Sequence, residues 1–264
     1  MSGGVTKARP GVGRGLCVLT GGALLLWTAL IPDRALHPPG PANAETPPVE
    51  GYHTRLQSTR RVQAALRGHT EATAPRKLNA LVHRSMAHGP SPKLRASDNW
   101  LAWTIGLAWG DARMTQDPRR LASMGVGLCS DAAIVLGELA IQAGLEYEIF
   151  DLRGHVVGQV RVNGTAWILD PDYGIAFEGG LARMEEDARD GSLAARLRDL
   201  GHGETPVDAY VALALTATSA NLVPGRRLSP RLAHLEHLLD IAAWTLPSCL
   251  ILWALRPRRR RPAC

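Results

Sequence analysis

Apolar and polar positions change period several times along this chain, and those changes divide it. Residues 16–31, LCVLTGGALLLWTALI, and 238–255, LLDIAAWTLPSCLILWAL, are apolar almost without interruption, and Asp240 is the one charge in either run. Such runs predict membrane-spanning helices, each near the lower length limit of roughly 17–25 residues. Between them the pattern is that of a folded domain. Residues 55–88 carry helical spacing at Val62, Leu66, Leu78, Leu81 and Val82, split at Pro75. The stretch SDNWLAWTIGLAWGD, from Ser97, predicts a helix capped by Ser97 or Asp98 and closed at Gly110. Trp100, Trp103 and Leu107 would share one side of it and pack into a core. A further helix is expected over 130–143, with Ile134, Val135, Leu136, Leu139 and Ile141 apolar and Gly144 as its stop.

After Gly144 the period drops to two. Residues 146–152, 155–162 and 165–170 read as strands, and Asn163-Gly164 between the last two is the strongest short hairpin signal. A charged helical segment over about 181–199 follows, and residues 205–236 are too mixed to divide into elements. The expected fold class is therefore α+β, with N-terminal helices packed on an antiparallel sheet and a membrane segment on each side. The expected organisation is an N-terminal anchor over 1–32 and a proline-rich linker over 33–54. The domain spans 55–205 with its core at 95–180. A connector over 206–237 leads to a membrane segment with a basic tail over 238–264.

Charge supports that division. The whole chain carries +6 over 264 residues. Lys7, Arg9 and Arg14 precede the first apolar run, and five arginines from Arg256 to Arg261 follow the second, so the residues between carry −2. A slightly acidic domain argues against nucleic acid as a partner. A cationic cluster on the outer side of each apolar run places both termini in the cytoplasm under the positive-inside rule. The domain would then lie outside the inner membrane, on the periplasmic side, with the lipid bilayer as its one evident partner. Ala42-Asn43-Ala44 resembles a cleavage site but stands far from the apolar run, so an uncleaved anchor is expected.

Of the four cysteines, Cys17 and Cys249 lie within the apolar runs and Cys264 ends the chain. Cys129 has no partner inside the domain, and a lone thiol in an oxidising compartment invites a functional account. It stands where the glycine-rich GVGLC opens a helix, and free amides and the helix dipole there favour a thiolate. The hairpin supplies its companions. With Asn163 and Gly164 as the central turn residues, Val162 faces Thr165 and Val157 faces Asp170. His155 is then diagonal to Asp170 on the same sheet face, within side-chain reach. Pro171 helps to hold Asp170 extended. A helix packed on this hairpin brings Cys129 to His155, giving a nucleophile, its base and a carboxylate that fixes the imidazole tautomer.

The segments GLCSDAAIVLGELAIQAG and RGHVVGQVRVNGTAWILDPDYG resemble the transglutaminase-like superfamily, within the papain-like fold, over roughly residues 95–180. The resemblance implies Cys129, His155 and Asp170 as catalytic residues, with no cofactor and no metal. It implies a membrane-anchored cysteine hydrolase or acyltransferase acting on an amide or peptide carbonyl of a protein or peptide substrate through a thioester. From a different class, a catalytically inactive binding domain in a cell-envelope or surface-polysaccharide assembly is the alternative. Gln159 departs from the glutamate many members carry. Trp103 and Trp109 are the candidates for a second oxyanion donor beside the Cys129 amide. His83 and His88, five apart, do not stack on a helix face and read as surface residues. Asp172 and Tyr173 read as turn residues. His234 and His237 lack the spacing of a zinc helix and fit the start of an interfacial helix.

Overall fold

The computed structural model describes residues 18–24, 73–96, 98–223 and 230–256. The N-terminal basic cluster, the proline-rich linker, Ala42-Asn43-Ala44, the helical spacing at Val62 and Leu66, and the arginines from Arg258 onward lie outside the described residues. The described chain forms two compact units. The larger comprises residues 73–93, 114–223 and 230–233, and the smaller comprises 18–24, 94–113 and 234–256.

The larger unit is mixed α+β. Helix α1 (Ala74–Ser85) begins with Pro75 in its first turn, where a missing N–H costs nothing. It leads into a two-residue strand β1 (Ala87–His88). After the excursion into the smaller unit, α3 (Pro118–Met124) is capped by the Asp117 side chain and stopped by Gly125 in the left-handed region, φ 65°. Strand β2 (Val126–Gly127) pairs in parallel with β1, and α4 (Cys129–Gln142) follows at once. Next come β3 (Glu146–Asp151), β4 (Val156–Val162), β5 (Thr165–Asp170) and β6 (Ile175–Glu178). Two charged helices, α5 (Gly180–Arg189) and α6 (Ser192–Asp199), are broken apart at Gly191, φ 83°. Helix α7 (Glu204–Ala214) and a short strand β7 (Asn221–Val223) close the unit.

The five-stranded sheet is antiparallel throughout, in the order β6-β5-β4-β3-β7. Helices cover both of its faces. On one side α1, α3 and α4 bury Leu78, Leu121, Leu136 and Leu139 against Val160, Trp167 and Leu169. On the other, α5, α6 and α7 bury Met184, Leu193, Leu197, Val207 and Tyr210 against Val157, Ile168 and Phe177. Helix α4 approaches the sheet closely because Tyr147 lies between two glycines. A Cβ at Gly137 would sit 2.5 Å from the Tyr147 ring, and one at Gly158 2.4 Å from its hydroxyl. That hydroxyl donates to the Ala133 carbonyl at 2.7 Å.

The strands agree with the expected ones, and the charged segment divides into two helices at Gly191. Strand β6 and helix α7 were not anticipated. β6 is four residues and too short for a periodic signal, while α7 mixes Thr, Pro and Asp with its buried positions.

In the smaller unit, α2 (Trp100–Ile105) is shorter than the sequence suggests. Its cap is Asn99, whose side chain accepts from the Ala102 amide, rather than Ser97 or Asp98. The helix ends at Gly106, before Gly110, and a 3-10 turn over Gly110–Arg113 follows. Helix α8 (Pro230–Leu255) is the one helix among the described residues long and apolar enough to cross a membrane, over Arg231–Leu255, and only 22% of its apolar window is buried. Of the first apolar run, residues 18–24 are helical and the rest lies outside the described residues. That short segment meets α8 closely: a Cβ at Gly21 would lie 2.8 Å from the Pro247 carbonyl.

Candidate active site

The site lies wholly in the larger unit and is built from three local devices. The first presents the thiol. Leu128 is the extended residue before α4, and Cys129 is the first helical residue. Asp131, in the first turn, accepts from the Leu128 amide at 3.0 Å and from the Ser91 hydroxyl at 2.7 Å. Gly127 leaves room for this: a Cβ there would fall 2.6 Å from that of Asp131. The first amides of the helix, Cys129 included, have no carbonyl one turn back and are available to an anion.

The second device is the β4–β5 hairpin. Asn163 and Gly164 both have positive φ, 51° and 81°, as a type I′ turn requires. The register runs from Val162 opposite Thr165 to Gly158 opposite Leu169, as the sequence implies. His155 enters β4 from a tight turn at Arg153 and Gly154, φ 62° and 113°. Its Nε2–H donates to Asp170 Oδ2 at 2.6 Å, with both residues buried. With Nε2 committed to Asp170, Nδ1 is the ring nitrogen left over, and Cys129 is close enough to add to the upward shift of the imidazole. The sequence-derived trio is thus brought together around the imidazole.

The third device is the turn after β5. Asp170 Oδ1 accepts from the amides of Asp172 and Tyr173 at 3.0 and 3.2 Å. Each of the four residues 170–173 also meets a different histidine. His155 holds Asp170, His83 donates from Nδ1 to the Pro171 carbonyl at 2.7 Å, and His88 Nδ1 meets Asp172 Oδ1 at 2.7 Å. His202 donates from Nε2 to the Tyr173 carbonyl at 2.9 Å. Asn79, one helical turn before His83, donates to the Asp170 carbonyl at 3.2 Å. The Tyr173 and Tyr210 rings stand edge-on to His155, with centroids at 5.4 and 5.5 Å.

His83 and His88 are not simple surface residues. His88 is exposed but paired, and His83 is half-buried on the turn. Their role was illegible because their partners lie 88 and 84 residues away. Tyr210 was missed with the rest of α7. The i, i+4 pair of Asn79 and His83 on α1 was the one local signal available.

Electrostatics follow from burial and charge. Burial opposes a charged His155, but the Asp170 carboxylate and the hydrogen bond to it, reinforced by Cys129, raise the imidazole well above its ordinary range. Asp170 is pushed up by complete burial. The His155 charge, its hydrogen bond, the Tyr210 hydroxyl and the Tyr173 amide more than offset this and hold Asp170 below the usual carboxylate range. Tyr210 is fully buried, and its hydroxyl is directed at Asp170 without completing a well-formed hydrogen bond. Asp172 is raised, first by burial and then by Asp170 beside it.

Gln159 does not touch the trio; it donates to Glu148 Oε2, directly across the β3–β4 ladder, at 2.9 Å. Trp103 and Trp109 belong to the smaller unit. Among the described residues no group of three His, Cys, Asp or Glu converges as a metal site, His234 and His237 included. No family model, curated protein or solved structure matches this chain.

Proposed function

We propose that the larger unit is a transglutaminase-like cysteine hydrolase or acyltransferase, carried outside the membrane by two apolar segments with both termini cytoplasmic. The observation that carries this reading is the buried His155–Asp170 bond at 2.6 Å, with Cys129 at a helix start near enough to influence the imidazole. A buried, charge-bearing imidazole between a thiol and a carboxylate is costly to maintain without a use for its proton.

In the proposed reaction His155 holds the proton of the Cys129 thiol. The thiolate attacks the carbonyl carbon of an amide in a protein or peptide substrate, forming a C–S bond. The carbonyl oxygen becomes an oxyanion, which the Cys129 amide stabilises. Collapse breaks the C–N bond, and the His155 imidazolium gives its proton to the departing amine. Water or an acceptor amine, deprotonated by His155, then attacks the thioester and releases Cys129. Asp170 fixes the ring orientation throughout and keeps its own charge.

The test is thiol labelling of the full chain with a peptide-derived acylating probe, read peptide by peptide by mass spectrometry. The acyl group should appear on Cys129 and not on Cys249, and should vanish in His155→Ala. Equal labelling of wild type and His155→Ala would point instead to the binding-domain reading.

A further inference from the structure

We infer that residues 98–109 of the smaller unit form an interfacial membrane segment, seated in the lipid at the outer end of α8. This rests on the reading of α8 as a membrane span. The chain leaves the larger unit after Lys93 and returns at Met114, and these two residues pair as an isolated β-bridge that pins the base of the excursion. Within the excursion, Asn99 to Gly110 carries no charge and holds three of the chain's seven tryptophans. The segment is not a core helix. Leu107 is 66% exposed and Trp109 49% exposed, although both are large and apolar.

What covers them is indicated by the neighbour. Asn99 Nδ2 donates to Asp240 Oδ1 at 2.7 Å, and Trp100 Nε1 donates to the Ala243 carbonyl at 3.2 Å. The segment is therefore bonded to the apolar stretch of α8, whose own Ile241 and Trp244 are exposed. From Asp240 to Leu255 the helix rises about 22 Å at 1.5 Å per residue. With Arg256 at the cytoplasmic face of a hydrocarbon layer about 30 Å thick, Asp240 lies several Å inside the outer boundary. Interfacial helices bury their apolar faces to about that depth, roughly 5–10 Å. Tryptophan is the side chain most suited to this level, with an apolar body and one N–H to satisfy. The Asn99 amide also gives Asp240 a partner where an unpaired carboxylate would be expensive. Lipid, continuous with the surface of α8, thus covers Leu107 and Trp109.

The test uses the full chain in nanodiscs of phosphatidylcholine and phosphatidylglycerol, with all four native cysteines replaced by serine. A nitroxide is attached through Leu107→Cys or Trp109→Cys, with Leu250→Cys in α8 and Arg161→Cys on β4 as references. The expected result is an oxygen-to-nickel-chelate accessibility ratio several-fold higher at 107 and 109 than at 161, approaching that at 250. A low ratio at 107 and 109 with a high one at 250 overturns the inference while leaving the span intact. Shielding of 107 and 109 from both reagents would mean that protein, and not lipid, covers them. A low ratio at 250 overturns the span and the inference together.

Discussion

The ring of Tyr210 stands edge-on to the imidazole of His155 at 5.5 Å, and its buried hydroxyl is directed at the carboxylate that the same imidazole grips. Tyr210→Phe keeps the ring and removes only the hydroxyl. The expected outcome is a fold of nearly unchanged stability with turnover reduced several-fold and KM little altered. Tyr210→Ala empties a fully buried site and should cost about 3–5 kcal/mol, as large-to-small aromatic core changes do. Denaturant titration separates the two effects. Identical turnover in wild type and Tyr210→Phe would remove the hydroxyl from the account.

Thiol alkylation tests the base. At pH 6.5, iodoacetamide should modify Cys129 about tenfold more slowly in His155→Ala than in the wild type, because the proposed base is gone. Asp170→Asn should slow alkylation less and turnover more, since its part is orientation. An alkylation rate indifferent to His155 would describe an ordinary cysteine.

The His155–Asp170 pair also sets a pH dependence. His155 is raised in the folded protein, so its contribution to stability is fully present below its unfolded value of about 6.5 and is lost as pH rises through the folded value. Asp170 is lowered, so its contribution is present above about 3.9 and is lost as pH falls through the folded value. The stability advantage of wild type over Asp170→Asn should therefore be greatest between about pH 4 and 6.5. In Asp170→Asn burial is the dominant influence left on the imidazole, and nitrogen NMR should find it neutral at pH 7 where the wild-type ring is protonated. A protonated ring in both proteins would contradict the assignment.

Much of this site could be read from the sequence because its parts are local. Asn163-Gly164 sets the hairpin register, the register puts His155 diagonal to Asp170, and the glycine-rich GVGLC marks the helix start at Cys129. What could not be read is whatever reaches the turn from far away. His83, His88 and His202 carry no periodic signal of their function, and Tyr210 lies on a helix whose polar residues mask its pattern. Leu107 departs from the expected core stripe, being 66% exposed beyond the end of α2, while Trp100 and Trp103 are half-buried.

Packing between α4 and the sheet depends on two glycines around Tyr147. Gly158→Ala places a methyl group against a ring that Gly137 confines from the other side. Overpacking of this kind typically costs about 1–3 kcal/mol. A urea midpoint unchanged in Gly158→Ala would show that the ring can shift away.

Topology is tested by reporter fusions at residues 50, 200 and 264. The first two should report the exterior and the last the cytoplasm. An exterior signal at 264 would refute the two-span arrangement.

The turn at residues 170–173 has bonding partners 15, 29, 84, 88 and 91 positions away along the chain. Contacts of such separation form late, because a long loop must close before they gain anything. The first partner, Asn79, emerges from the ribosome long before the last, His202, exists. A partly opened chain can therefore hold the His155–Asp170 pair of the hairpin while the turn beside it still lacks Asn79, His83 and His88. The turn that backs the carboxylate is thus completed by α1, and an opening of that helix would loosen Asp170 without touching the hairpin register.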